Sequence, residues 1–173
     1  QVGANMGLWN RLLYRMRYPG VRIYNPAMTE IQRSARIGAG TRIGSFTLIH
    51  AGAVIGENCT IGSHCNICAG VVIGDNTSIQ TGCHITRGVQ IGMHSFVGPG
   101  VVTMNDKYMD GNLTPPTIGN RSRIGGRSAI LPGIRIGDAA LVGSGSVVTS
   151  DVADGMQVFG APAKPRRAPG VSA

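Results

Sequence analysis

Asn105-Asp106-Lys107-Tyr108 places an amide, a carboxylate, an ammonium and a phenol in direct succession. An Asn amide can orient a nucleophile or donate to a developing oxyanion. The Asp carboxylate can accept a proton, the Lys can meet a phosphate, and the Tyr can cover a ring. The four lie in TMNDKYMDGNLTPPT, Thr103 to Thr117, which differs sharply from the sequence on either side. Asn-Asp and Asp-Gly-Asn also form turns. Fifteen residues nevertheless exceed what a turn requires.

The flanking sequence must position this stretch, and it is strictly periodic. An aliphatic residue leads every sixth position from Ile31 to Val97, and again from Ile118 to Val148. All eighteen leading residues are Ile or Val, eleven are followed by Gly, and the fifth position is nearly always small. A period of six is neither helical nor that of a simple alternating strand. It is the signature of a hexapeptide β-helix, in which short parallel strands make the flat faces of a coil. Leading and fifth positions point inward and stack from coil to coil about 4.8 Å apart. Positions three and four turn the corners, and the ends of such a stack need caps.

Repeats such as IGENCT, IGSHCN and IGDNTS resemble the hexapeptide-repeat acyltransferase superfamily over about Ile31 to Lys164. The resemblance implies an all-β fold: a left-handed parallel β-helix of three hexads per coil, about six coils, usually trimeric. Residues eighteen apart then stack. The face of Ile31, Ile49, Ile67 and Ile85 lacks Gly at its second positions, as do Leu131 and Thr149. If these share one face, the break at Thr103 falls where that face is due and replaces one strand with a nine-residue excursion. His84 then lies on this face, one coil below the break. With a pKa near neutrality a His there can serve as a base; the alternative is a solvated or contact residue. His64 and His94 fall at corners, and His50 faces outward. Spacings of 14, 20 and 10 between the histidines offer no converging pair, so no metal is expected. Cys59, Cys65 and Cys83 take inward positions as reduced, packed thiols.

FVGPGVVTMNDKYMDGN resembles a segment of nucleotide-sugar N-acetyltransferases, enzymes that acetylate amino sugars on UDP or dTDP. The chain departs from them at Thr103-Met104, where Phe-Thr is usual, and at Met109-Asp110, where Pro-Arg is usual. The resemblance implies Asn105 as the central catalytic Asn, with Asp106 and His84 as further catalytic candidates. Asn66, Lys107 and Tyr108 are the substrate-binding candidates. The ending GSGSVVTSDVADGMQVFGAPAKPRR resembles the coenzyme A side of these enzymes. It implies acetyl-CoA as cosubstrate, bordered by Gly126, Ser128, Ser144 and Gly145, with Lys164, Arg166 and Arg167 on its phosphates. The same ending occurs in O-acetyltransferases, so a hydroxyl acceptor is the runner-up, and a non-catalytic β-helix scaffold stands third.

The formal charge of +8 comes from arginines dispersed along the repeat, apart from RLLYRMR and KPRR. Aromatics do not interleave with them as base stacking requires, which argues against nucleic acid and leaves phosphorylated small molecules. No apolar run is long enough to cross a membrane, no secretory signal is visible, and a cytoplasmic protein is expected. Residues 1–30 read as a helical cap and lead-in, 31–153 as the β-helix with its 103–117 loop, and 154–173 as the CoA-side tail. In the first of these, Trp9, Leu12, Leu13 and Met16 recur at helical spacing among Arg11, Arg15 and Arg17. Covering the open coil end is the favoured role of that segment, and contact with a membrane surface the disfavoured one.

Overall fold

In each hexad an inward aliphatic forms the centre of a short strand, and two tight corner residues swing the chain to the next face. The result, in a computed structural model that describes residues 12–166, is a prism of three parallel sheets. The first face carries seven strands, from Glu30–Ile31 through Leu48–Ile49, Asn66–Ile67, His84–Ile85, Val102–Thr103 and Ala129–Ile130 to Val147–Val148. The second face carries six, beginning at Arg36–Ile37, and the third carries nine, beginning at Arg22–Ile23. Register is held at one residue per rung: Ile49 pairs with Ile67, and Ile67 with Ile85. These three side chains are fully buried. Each contributes about 1.5–3 kcal/mol by leaving water, so stability accumulates coil by coil.

Fifth-position residues share a second job. The hydroxyls of Thr41, Ser95, Ser122 and Ser128 donate to the carbonyls of Gly56, Gly119, Gly137 and Gly143 in the coil above. The thiols of Cys59, Cys65 and Cys83 donate in the same way to Gly74, Gln80 and Gly98. No buried side-chain oxygen or nitrogen lacks a partner among the described residues. Burial pushes the Cys59 thiol above its ordinary range. Contact with the Cys65 thiol, then burial, pushes Cys83 higher still. The same contact lowers the Cys65 thiol, so the reading as reduced packing residues agrees with the raised thiols of Cys59 and Cys83, while Cys65 is held in place by its hydrogen bond to the Gln80 carbonyl.

The fourth position of each hexad turns the corner with a left-handed backbone, as at Phe46, His64 and His94 with φ of 58°, 56° and 58°. The two histidines are therefore exposed corner residues, as expected. At the corner from second to third face, side chains form a vertical ladder. The amide N–H groups of Glu57, Met93, Asn120 and Asp138 donate to the side chains of Asp75, Asn120, Asp138 and Asp154. The Asn120 amides beside Asp138 hold its carboxyl below the usual range.

The break differs from expectation in one respect. The first face does pass through it, but no strand is lost: Val102–Thr103 pairs with His84 below and with Ala129–Ile130 above. Thr103 takes the inward leading position, fully buried where every other coil has Ile or Val. The reason lies in the ladder. At other rungs of this face the residue after the leading Ile donates to the carbonyl of the coil above, as His50 does to Ile67 and Cys68 to Ile85. At the break the Thr86 N–H is met by Thr103 Oγ1 instead, at 2.8 Å. The side chain substitutes for a carbonyl as the main chain turns away. The excursion then spans residues 104–116 and re-enters as Thr117–Ile118 on the second face, paired with Gln90–Ile91.

Two further corrections concern the ends. The third face holds eight parallel strands, giving about eight turns rather than about six. Arg22–Ile23 pairs beneath Arg42–Ile43, and Gln157–Phe159 pairs above Leu141–Val142. Both strands are out of phase with the hexads, which is why spacing did not count them. Beyond the top turn, Lys164–Pro165 folds back antiparallel on Phe159 and Val158. At the other end residues 12–17 are helical. The helix docks through Tyr14 and Tyr18, whose hydroxyls donate to Thr29 and Ala35 carbonyls. Leu12, Leu13 and Met16, expected to cover the coil, are instead exposed. Tyrosines dock because the last coil presents unpaired carbonyls along with apolar surface. Trp9, Arg11 and Arg167 lie outside the described residues.

Candidate functional site

The excursion is a small two-stranded loop. The Thr114 N–H donates to the Asn105 carbonyl at 2.6 Å, and Asp106 bridges Leu113. Its tip is closed by the Asp106 carboxylate, which accepts the backbone N–H groups of Tyr108, Asp110 and Gly111. Asp110 in turn accepts both the N–H and the side-chain amide of Asn112. On its return the loop crosses the prism where Gly88 leaves room for Pro115, and the Thr114 carbonyl accepts from Gly133. Asn105 Nδ2 donates to the Arg87 carbonyl at 3.1 Å. That bond fixes the amide plane and leaves one N–H and Oδ1 for a ligand. Lys107 and Tyr108 stand exposed at the tip, the ammonium 5.4 Å from the ring centre.

These bonds separate the two acidic and amide candidates. Asp106 spends its lone pairs on three main-chain donors, which suits a loop-closing residue better than a free base. Asn105 keeps reactive capacity.

Beneath the loop the first face presents a column of outward side chains: Leu48, Asn66, His84, Val102 and Ala129. His84 is half-buried and makes no side-chain hydrogen bond among the described residues. It is available as a proton acceptor in a way Asp106 is not. Asn66, directly below it, accepts through Oδ1 from His50 Nε2 at 3.0 Å. His50 is thus tied to the candidate site, a link its position in the repeat did not reveal. Cys68 lies beside Asn66 at 3.8 Å, and burial raises its thiol. No hydrogen bond joins His84 to Asn105; the Asn105 amide reaches the Arg87 carbonyl, three positions along the chain from His84.

Around the next corner, the third face carries a groove of about 360 Å³ lined by Phe96, Arg123, Gly125, Leu141, Gly143, Ser144 and Phe159. Phe159 also lines a second groove of about 410 Å³ with Lys164, Pro165 and Arg166. The Arg166 guanidinium sits 5.6 Å from the Phe159 ring centre. The two grooves meet at Phe159, and the second is edged by the cations of Lys164 and Arg166. A Cβ at Gly143 would collide with the Phe159 ring, so the glycine sets the ring's position and the depth of the groove.

Of the residues expected here, Ser144 and Gly145 are exposed at the corner between this groove and the first face, and Gly126 adjoins them. Lys164 and Arg166 lie at the groove's end. Ser128 is a correction. It is 1% exposed and its hydroxyl donates to the Gly125 and Gly143 carbonyls inside the coil, so its side chain cannot border a ligand. Phe96, Arg123, Leu141 and Phe159 were missed. The three residues Phe96, Arg123 and Leu141 stand eighteen or twenty-seven apart on one register, and stacking at that spacing could have found them. No group of three potential metal ligands exists among the described residues.

A three-faced prism of hexad-built strands, carrying one polar loop and one groove, defines a hexapeptide-repeat β-helix protein. The chain belongs to the bacterial transferase hexapeptide (six repeats) family, whose pattern matches residues 34–69, 70–104 and 115–150. The gap between the second and third matches falls inside the excursion. The bifunctional protein GlmU of Synechococcus sp. is 39% identical over 64 residues, which is 37% of this chain and 14% of that protein. A chloramphenicol acetyltransferase of Morganella morganii is 51% identical over 47 residues, 27% of this chain and 22% of that protein. The chain thus spans less than a quarter of the length of either curated relative. A hexapeptide-repeat acetyltransferase of Vibrio cholerae O1 biovar eltor, solved with acetyl coenzyme A, shares the fold. It gives a TM-score of 0.59 at 20% identity, over 95% of this chain and 81% of that one.

Proposed function

We propose that the protein is an acetyl-CoA-dependent N-acetyltransferase acting on the amino group of a nucleotide-linked amino sugar. The observation that carries this reading is the apolar groove ending at Lys164 and Arg166, one corner away from His84 and the Asn105 loop. The groove has the chemistry for a pantetheine arm and the cations for its phosphates. The first face and loop offer a proton acceptor, an oriented amide and an exposed Lys-Tyr pair for a sugar nucleotide.

In this reading the acceptor amine attacks the thioester carbonyl, and the oxyanion of the tetrahedral intermediate is met by the free Asn105 N–H or neighbouring backbone amides. His84 takes the amine proton. Collapse breaks the carbon–sulfur bond, and the thiolate leaves as free thiol with a proton from His84 or solvent. Assembly as a homotrimer belongs to the same reading. It is drawn from the resemblance to hexapeptide-repeat acyltransferases, which usually assemble as trimers. A cytoplasmic setting, where the acyl donor is made, goes with it; no helix among the described residues is long and apolar enough to cross a membrane.

The test is a screen of acetyl transfer over UDP- and dTDP-amino sugars with thiol release as readout. Turnover with the amine and not with the matching hydroxyl sugar is expected. The reverse preference would establish the O-acetyltransferase reading, and failure to bind acetyl-CoA in calorimetry would leave a non-catalytic scaffold.

A further inference from the structure

The capping helix of residues 12–17 has two unlike sides. Tyr14 and Tyr18, one turn apart, face the coil end and bond to it. On the other side Leu12, Leu13 and Met16 form an apolar stripe that is 54%, 57% and 77% exposed. Tyr24 and Met28, in the adjoining lead-in, are exposed to a similar degree. A terminal element that only closes a solenoid presents a polar outer side. This one places Leu, Leu and Met outward, so it needs a cover of apolar character.

Charge identifies the cover. Between residues 12 and 44 the chain carries Arg15, Arg17, Arg22, Arg33, Arg36 and Arg42 against Glu30 alone. All six arginines are exposed at this end of the prism. None joins an ion pair, since the sole one among the described residues is Arg135–Asp154, near the other end. Like charge opposes the meeting of two copies of this end, because six arginines would face six. A surface both apolar in depth and negative at its boundary satisfies the stripe and the arginines together. Long Arg side chains reach a headgroup layer while apolar neighbours sink beneath it.

We propose that the N-terminal end of the prism docks on the surface of an anionic lipid bilayer, with Leu12, Leu13 and Met16 inserted and the flanking arginines on the headgroups. Docking end-on puts the prism axis away from the membrane. His84 lies three coil steps above the strand Glu30–Ile31, or about 14 Å, and the first face stays open to solvent.

The experiment is co-sedimentation of the full chain with vesicles of phosphatidylcholine alone and of phosphatidylcholine mixed with phosphatidylglycerol. Binding to the mixed vesicles only, weakening as salt is raised, is expected. Leu13→Glu with Met16→Glu should lower the bound fraction at least about tenfold, and Arg15→Glu with Arg17→Glu should remove the preference for anionic lipid. Because these side chains are exposed, both variants should keep the wild-type circular dichroism, thermal midpoint and sedimentation coefficient. Wild-type protein left in the supernatant with anionic vesicles would overturn the proposal. So would undiminished binding by the Leu13/Met16 variant. A changed sedimentation coefficient in that variant would assign the stripe to a subunit contact instead.

Discussion

Replacing Thr103 by Val makes the chain more regular, because all eighteen other leading residues are Ile or Val. A repeat consensus therefore predicts a gain in stability, and the hydrogen-bond geometry predicts a loss. Thr103 Oγ1 is the acceptor for the Thr86 N–H at 2.8 Å and also contacts Thr86 Oγ1 at 2.9 Å. Val is nearly isosteric, so packing against Ile85 and Ile130 survives. The Thr86 N–H would then be left without a partner in a half-buried strand, costing about 1–3 kcal/mol. A methyl in place of the hydroxyl returns under about 1 kcal/mol, for a net loss near 1–2 kcal/mol. With an m-value of about 2 kcal/mol/M, the urea midpoint falls by about 0.5–1 M. Thr103→Ser, which keeps the acceptor and loses a methyl, should fall by about 1 kcal/mol. Unfolding is followed by circular dichroism at one fixed protein concentration, since subunit association would otherwise shift the midpoint. Thr103→Val at or above wild-type stability would refute the claim that the hydroxyl replaces a backbone carbonyl here.

Asn105→Ala should lower kcat/KM by about 2–4 kcal/mol of transition-state stabilisation, with the circular dichroism unchanged; wild-type turnover would remove it from the mechanism. Asp106→Asn weakens the acceptor for three loop amides, so on the proposed function it should raise KM for the acyl acceptor while the pH profile of kcat keeps its shape, as stopped assays across pH would show. Lys164→Ala with Arg166→Ala should raise KM for acetyl-CoA with little change in kcat, measurable by varying the donor at saturating acceptor. Asp138 has its folded carboxyl lowered by the Asn120 amides, so its contribution is present above the ordinary carboxylate pKa. That contribution is lost as pH falls through the lower folded value. Asp138→Asn should accordingly flatten the acid limb of the thermal midpoint against pH.

The coil stack is legible in the sequence because every rung must put one aliphatic and one small residue inside, and that requirement repeats without relief for twelve hexads. Even the misplaced Ser128 was readable, as a fifth-position residue like Ser95 and Ser122. The outermost turns were not, since Ile31 comes eight positions after Ile23 and Val152 four positions after Val148. Phase carries no information once spacing changes. The helix posed a different problem. Apolar periodicity identifies a stripe without saying what it meets, and the docking at Thr29 and Ala35 depends on carbonyls that only the folded end exposes. Within the loop, Asn105 and Asp106 look alike as turn formers. What distinguishes them is which main-chain donors the folded tip turns toward each carboxyl or amide, and nothing local in the sequence encodes that.

The excursion leaves and re-enters between rungs that are unbroken. His84, Val102 and Ala129 stay in register on one side, and Gln90, Thr117 and Arg135 on the other. Tension along the prism axis therefore passes through the rungs and bypasses the loop, which hangs in parallel with the stack rather than in series. A segment wired this way can change length or content without shifting the rung above or below. The scaffold's mechanical continuity and the loop's chemistry are separately adjustable, and the joint between them is the hydroxyl of Thr103.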